Sequence, residues 1–166
     1  MKNKSLYKKE IMQERLDAID RKILRILEKD AKTVAKSIAE QLNMTKTPVY
    51  ERIRRLEQEG FIKHYAAVIN KEQVERSITV FGFVSLEAQK GELMDDFLAQ
   101  VKEFPEVVEC FVVGGEFDFL LKVIVKNLDA YYDFAKQKIA SLPNIGAVKS
   151  AFVLKEVKNE IGFPLL

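Results

Sequence analysis

With 166 residues, 48% of them apolar, and a formal net charge of +2, the chain is long enough for one domain or two small ones and has material for a real core. No apolar run approaches a membrane span, and the basic start from Met1 to Arg15 lacks the apolar stretch of a signal peptide. The single cysteine, Cys110, excludes an internal disulfide and any zinc site built on several cysteines, so the cytoplasm is the default compartment.

The small total charge hides an asymmetry. Residues 1–70 hold 16 Lys+Arg against 10 Asp+Glu, and residues 71–166 hold 11 against 15. A basic half joined to an acidic half is the footprint of a nucleic-acid-binding domain attached to something else.

Taken in chain order, Leu16, Ile19, Ile23, Ile26 and Leu27 have helical spacing, and the pattern closes at Asp30. Ala35, Ile38, Ala39 and Leu42 give a second, shorter amphipathic helix. After Asn43 and Met44 a third helix starts at Thr45, a good N-cap residue, with Pro48 in its first turn. Val49, Ile53 and Leu56 share its buried face, and Gly60 can take the left-handed conformation that ends it. Two short helices joined by a short turn form a helix-turn-helix, whose second helix enters the major groove. The polar surface of that helix is Lys46, Thr47, Tyr50, Arg52, Arg54 and Arg55. Such side chains contact phosphates and base edges. The three arginines cannot all face one way, so at least one is expected on phosphate or paired with Glu51 or Glu57. The bland alternative is a three-helix bundle with a solvated basic face. From Phe61 to Ile69 a β-rich run reads as a wing or a linking strand.

The second half has another texture. Strands are expected at Ser77–Ala88, Val107–Val113, Phe117–Val125 and Val148–Val157. Helices are expected at Gly91–Phe104, stopped by Pro105, and after an Asn127 or Asp129 cap through Leu142, ended by Pro143 and Gly146. The order βαββαβ is a ferredoxin-like sandwich, two helices on a four-stranded antiparallel sheet. Phe104-Pro105-Glu106-Val107 and Leu142-Pro143-Asn144-Ile145 echo one another at the two helix-to-strand junctions. Several strands are apolar on both parities, which predicts a sheet covered on both faces and hence a face-to-face dimer. The whole is an α+β chain: an N-terminal helix-turn-helix, winged-helix-like, and a C-terminal ferredoxin-like domain.

Chemistry for catalysis is poorly represented. His64 is the only histidine and nothing places Cys110 beside it. Gly114-Gly115 lacks both a P-loop and a dinucleotide fingerprint. Asp95 and Asp96 are adjacent on a helix, so they do not converge on a metal. No catalytic residue, metal ligand or cofactor is expected. Asp118, between Phe117 and Phe119 after a glycine turn, carries two compatible readings. It holds the turn by accepting backbone N–H bonds, or it takes the ammonium of a ligand.

Three stretches carry a resemblance to a known family. They are Leu16-Asp17-Ala18-Ile19-Asp20-Arg21-Lys22-Ile23-Leu24, the run from Thr45 to Tyr65, and Gly114-Gly115-Glu116-Phe117-Asp118-Phe119-Leu120-Leu121-Lys122. In this order they resemble the Lrp/AsnC family of feast/famine transcriptional regulators over about residues 16 to 158. The resemblance implies a regulator that binds double-stranded DNA and responds to a small amino acid, with leucine the first candidate. It also implies a homodimer assembling to an octamer. The implied DNA contacts are Lys32, Thr45, Lys46, Thr47, Tyr50, Arg52, Arg54 and Arg55. The implied effector site is the turn Gly114, Gly115, Glu116, Phe117 and Asp118, in a cleft between neighbouring subunits. Expected boundaries are a basic extension at 1–15, a DNA-binding domain at 16–60, a linking strand and hinge at 61–76 and an effector and oligomerisation domain at 77–166. Two features depart from the family. Residues 1–15 are extra, either an arm that touches DNA or a solvated tail. Ala31-Lys32 stands where the family often has an arginine; lysine keeps a phosphate contact and loses the bidentate fork. The competing function is a metabolite-sensing regulatory subunit that acts through protein contacts.

Overall fold

The computed structural model describes residues 16–75, 78–88 and 91–159. The N-terminal extension, with Lys2, Lys4, Lys8 and Lys9, lies outside them. The chain divides into two compact units, the second of them spanning Ile69–Val157.

The first unit holds three helices: α1 (Ala18–Lys29), α2 (Ala35–Gln41) and α3 (Lys46–Gln58). A capping box starts α1. The Asp17 carboxylate accepts from the N–H groups of Ile19 and Asp20, and Asp20 returns a bond to the Asp17 N–H. The turn into α3 passes through Asn43 at φ 52°, a left-handed conformation that asparagine tolerates. Thr45 is the N-cap of α3 in extended backbone, yet its side chain makes no cap bond. Gly60, at φ +76°, ends the helix, its N–H donating to the Glu57 carbonyl. Ile23, Leu27, Ile38, Ala39, Val49 and Leu56 form the buried core, with Ile53, Phe61 and Ile62 packed against it. From Phe61 to Ile69 the chain joins no ladder, so the linking strand expected there does not form. Instead the Tyr65 hydroxyl reaches back to Glu57 on α3, donating to Oε1 at 2.7 Å.

In the second unit β1 (Ile78–Leu86), α4 (Gly91–Lys102), β2 (Val107–Val112), β3 (Phe119–Val125), α5 (Leu128–Phe134) and β4 (Ile145–Phe152) follow the expected βαββαβ order. The sheet runs β2-β3-β1-β4 and every pair is antiparallel. Alternation puts Val80, Val84, Leu86, Phe119, Leu121, Val123 and Val125 under the helices. Phe97 of α4 stacks on Phe119 at 4.3 Å between ring centroids. Asn127 caps α5, accepting from the Ala130 N–H, and a π turn at Ala135–Ile139 continues the helix.

Two boundaries differ from expectation. β4 begins at Ile145, three residues early, and ends at Phe152. Gly146 lies inside the strand, not at a helix end: a Cβ there would meet the Leu86 and Glu87 backbone at 3.2 Å, a tight contact that glycine avoids. The turn before it is made by Asn144 at φ 66°, whose amide pairs with both the N–H and the C=O of Ala88. Beyond Phe152 the partner runs out, because Phe152 already faces Val80 near the start of β1. β3 likewise begins at Phe119 and not Phe117, since the turn before it is longer than the two glycines imply.

Candidate nucleic-acid interface and effector turn

At about 100° per residue, Lys46, Thr47, Tyr50 and Arg54 fall within one third of the circumference of α3. All four are exposed, as are Thr45 and Glu51, and Tyr50 has an accessibility of 53%. Val49, Ile53 and Leu56 form the buried side, roughly 100° round the helix from the centre of that face. Arg52 and Arg55 lie on the side turned away from it, facing α1. Arg52 Nη1 donates to Asp17 Oδ2 at 2.6 Å and to Asp20 Oδ1 at 2.8 Å, and Arg55 Nη2 donates to Asp20 Oδ2. The Asp20 side chain is 1% accessible, those of Arg52 and Arg55 28% and 41%. Two guanidiniums thus close over one buried carboxylate. Arg55 Nε is buried with no hydrogen-bond partner.

This sorts the expected DNA contacts. Arg54, Tyr50, Thr47 and Lys46 stand together on an open face. Arg52 and Arg55 are engaged inside the domain, and their partners are Asp17 and Asp20, where a phosphate contact or a pair with Glu51 or Glu57 was expected for at least one arginine. Lys32 sits apart in the α1–α2 turn, its backbone N–H bound to the Asp30 carboxylate at 2.9 Å and its side chain exposed. Burial raises the Asp17 carboxyl, but the Asp20 N–H, Arg52 and the Ile19 N–H outweigh it and hold the group below the usual carboxylate range. The bonds to Asp20 and then Asp17 push the Arg52 guanidinium further above its ordinary value. Asp17 and Asp20 were not singled out as partners in the sequence. The available signal was a pair of acids three apart on one helix and a pair of arginines three apart on another.

The effector turn is equally divided. Gly114, Gly115 and Glu116 are exposed, with Gly115 at φ +132°, a conformation that L side chains rarely adopt. Phe117 packs on Phe83 at 5.2 Å between centroids. Lys149 of β4 lies 4.9 Å over the Phe117 ring and 2.6 Å from Glu116 Oε1. Asp118 is 9% accessible; its Oδ2 accepts from the Leu86 N–H at 2.8 Å and its own N–H donates to the Val84 carbonyl. The carboxylate therefore ties the turn to the end of β1. Lys149 was not anticipated in the sequence, because one lysine on an alternating strand looks like any solvated side chain.

On the open face of the sheet Phe111 keeps 46% of its surface exposed, whereas Phe152 shares the helix side with Val80 and packs edge-on against Tyr131 at 5.2 Å between centroids. A cavity of about 320 Å³ between α4 and β2 is lined by Leu98, Val101, Lys102, Val107 and Cys110 among others. Burial pushes the Cys110 thiol up, against the pull of Lys102, which disfavours a reactive thiolate. Among the described residues no three His, Cys, Asp or Glu side chains converge as a metal site, and no helix is long and apolar enough to cross a membrane.

Comparison with known proteins agrees with both halves. Residues 16–63 match a winged helix-turn-helix DNA-binding model, and residues 79–162 match the Lrp/AsnC ligand binding domain. The chain belongs to the Lrp/AsnC family. It is 37% identical over 150 residues to the Bkd operon transcriptional regulator of Pseudomonas aeruginosa, covering 90% of this chain and 98% of that one. The leucine-responsive regulatory protein of Escherichia coli K12 is 34% identical over 143 residues, 86% of this chain and 87% of that one. Among solved structures, the regulator NMB0573 of Neisseria meningitidis in complex with L-Met superposes with TM-score 0.87 at 31% identity. That match covers 90% of this chain and 97% of the other. An AsnC family regulator from Agrobacterium tumefaciens gives TM-score 0.86 at 35% identity, with the same coverage. As a member of the Lrp/AsnC family, the chain is a DNA-binding transcriptional regulator with a ligand-binding domain.

Proposed function

We propose that this Lrp/AsnC regulator reads double-stranded DNA with the Lys46, Thr47, Tyr50 and Arg54 face of α3, and that its effector is a small amino acid received at the turn 114–117. The observation that carries the first part is the sorting of α3: four polar side chains on one exposed face, the other two arginines drawn inward. Thr45 at the start of α3, and Lys32 in the separate α1–α2 turn, are further phosphate contacts. The other reading, a sensor that acts through protein contacts alone, leaves this exposed basic face without a role.

For the effector, the exposed N–H groups of the glycine turn suit a carboxylate. Glu116 suits the ammonium, since its exposed pair with Lys149 costs little to open, ~1 kcal/mol or less. Asp118 anchors the turn and is too enclosed to meet the ligand. One structural neighbour is a complex with L-Met and several relatives are named for leucine, so apolar amino acids come first in the panel. The half-exposed Phe111 on the open face supports burial of the sheet against a second copy, with a homodimer as the unit and an octamer as the larger assembly. Two-fold pairing places two reading helices about one DNA turn apart, ~34 Å. The compartment is then the cytoplasm, and no enzymatic step is needed.

The test is selection of bound sequences from random duplex DNA, with and without the amino-acid panel, followed by salt titrations. Arg54→Ala lowers the salt slope by roughly one if Arg54 contacts a phosphate, and Tyr50→Ala relaxes sequence preference. If both leave affinity, slope and preference unchanged, this face is not the reader. For the effector, calorimetry is expected to show binding lost in Glu116→Gln and kept in Asp118→Asn. The reverse result returns the ammonium contact to Asp118.

A further inference from the structure

We propose that the cavity between α4 and β2 is a second small-molecule site, which takes a short apolar monocarboxylate lacking an ammonium group. The proposal stands apart from the reading face of α3 and from the effector turn.

Size and lining come first. The volume of about 320 Å³ sits at the low end of the ~300–1,000 Å³ that small-molecule pockets occupy, so the occupant is small. Leu98 and Val101 of α4, three apart on one helix face, form one wall, and Val107 and Val108 of β2 form the other. β2 is an edge strand, so no further strand closes the cavity on its outer side. Cys110 pairs with Leu121 and lines the cavity with a thiol that burial keeps protonated, hence neutral.

The one charge free to meet a ligand is Lys102. It lines the same cavity, and its pull on the Cys110 thiol places its ammonium near that lining. Lys122, Lys138 and Lys149 each meet a carboxylate at 2.6 to 2.8 Å, whereas Lys102 has no ion-pair partner among the described residues. Apolar walls with one unpaired cation suit an apolar body that carries one negative charge. The acid in the lining is Glu109, and its carboxylate already accepts from Lys122 at 2.8 Å. An α-ammonium group would enter without a partner, and burying an unpaired charge is costly. This separates the ligand from the amino acid of the turn 114–117. Position separates them too: from Val107, at the cavity, to Gly114 the strand runs ~20 Å. Lys102 also stands in the last turn of α4, where a cation suits the free carbonyls. That role bears on stability alone, so the test reads the ligand.

Cys110 is the only cysteine of the chain, which makes it a built-in reporter. The experiment follows its alkylation by iodoacetamide, a neutral reagent, in the full chain at fixed pH. The probes are 4-methylpentanoate, its uncharged amide, and leucine, which adds the ammonium. At about four times its Kd, 4-methylpentanoate is expected to slow the reaction about fivefold, with little effect from the other two. Lys102→Gln is expected to abolish the protection and Lys102→Arg to keep it. No protection by 4-methylpentanoate overturns the site. Equal protection by the amide or by leucine overturns the ligand class, and protection that persists in Lys102→Gln overturns the role of the lysine. Protection that follows protein concentration and not ligand means that a second copy covers the cavity, which overturns the proposal. Should the thiol react too slowly to follow, the methyl signals of Leu98, Val101 and Val107 in ¹³C-methyl-labelled protein decide. They are expected to move on adding 4-methylpentanoate, and signals that stay in place overturn the site.

Discussion

Each unit of the chain buries one aspartate, and the two are neutralised by different means. Asp20 is held by guanidiniums and Asp118 by backbone N–H, the Leu86 amide foremost. The first arrangement belongs to a unit with a small core, six buried apolar residues from three short helices. There, polar contacts across α1 and α3 supply orientation that packing alone does not. The second belongs to a unit whose core includes Phe97, Phe119, Tyr131 and Phe134. Its helices are fixed by packing, so its aspartate serves only to fasten one turn to one strand end. A charge-held carboxylate makes a helix orientation depend on side-chain identity, whereas a backbone-held one survives most changes around it.

That difference is open to direct attack. The largest loss is expected where packing dominates. Phe119→Ala removes a ring that is 0% exposed and stacked on Phe97, and should destabilise the second unit by about 3–5 kcal/mol in chemical denaturation. Asp20→Ala comes next. Breaking a buried pair costs about 3–5 kcal/mol, but both arginines are partly solvated, so a loss of about 2 kcal/mol in the first unit is expected. If Asp20→Ala costs less than half that, the Asp20 pairing is ornamental to stability and the contrast between the units fails. Asp118→Asn keeps an oxygen for the Leu86 N–H and loses only the charge. Its expected cost is about 1 kcal/mol, confined to the second unit, and a loss as large as that of Asp20→Ala would place both aspartates in one class. Gly60→Ala tests the end of α3. At φ +76° an L side chain costs about 1 kcal/mol, although open space surrounds the position.

The sequence carried the elements and their order well, because amphipathic period and breaker residues act locally. Val49, Ile53 and Leu56 marked the buried side of α3, Gly60 its end, and Asn127 the start of α5. What it concealed was long-range. Nothing near Arg52 says that its partner lies 35 residues earlier in Asp17, and nothing near Glu116 announces Lys149. β4 began early for a similar reason. Gly146 looks like a breaker from its neighbours, and becomes a strand residue because β4 pairs with the end of β1, where Ile145 faces Leu86. Phe61–Ile69 failed the other way: its residues favour a strand, but β propensity describes fit to a neighbouring strand, and among the described residues it has none.

The smallest expected effect lies at the C-terminal end of the reading helix, where Tyr65 donates to Glu57. Burial, then the bond to Glu57, push the Tyr65 hydroxyl up to about 12 from an ordinary value of 10.0. The folded state therefore keeps this proton longer than the unfolded chain does. The stabilisation is fully present below about pH 10, fades as the unfolded tyrosine ionises, and is lost as pH rises through about 12. Tyr65 retains nearly half its surface, so the contribution is small, and lysines titrate over the same window. A single pH profile is thus uninformative, and the difference between wild type and Tyr65→Phe is the quantity to measure. The variant is expected to start slightly less stable at pH 8 and to converge with wild type by pH 12, since phenylalanine has nothing to ionise. A difference that stays constant from pH 8 to pH 12 would mean that the Tyr65–Glu57 bond does not hold the linking segment to α3 in solution.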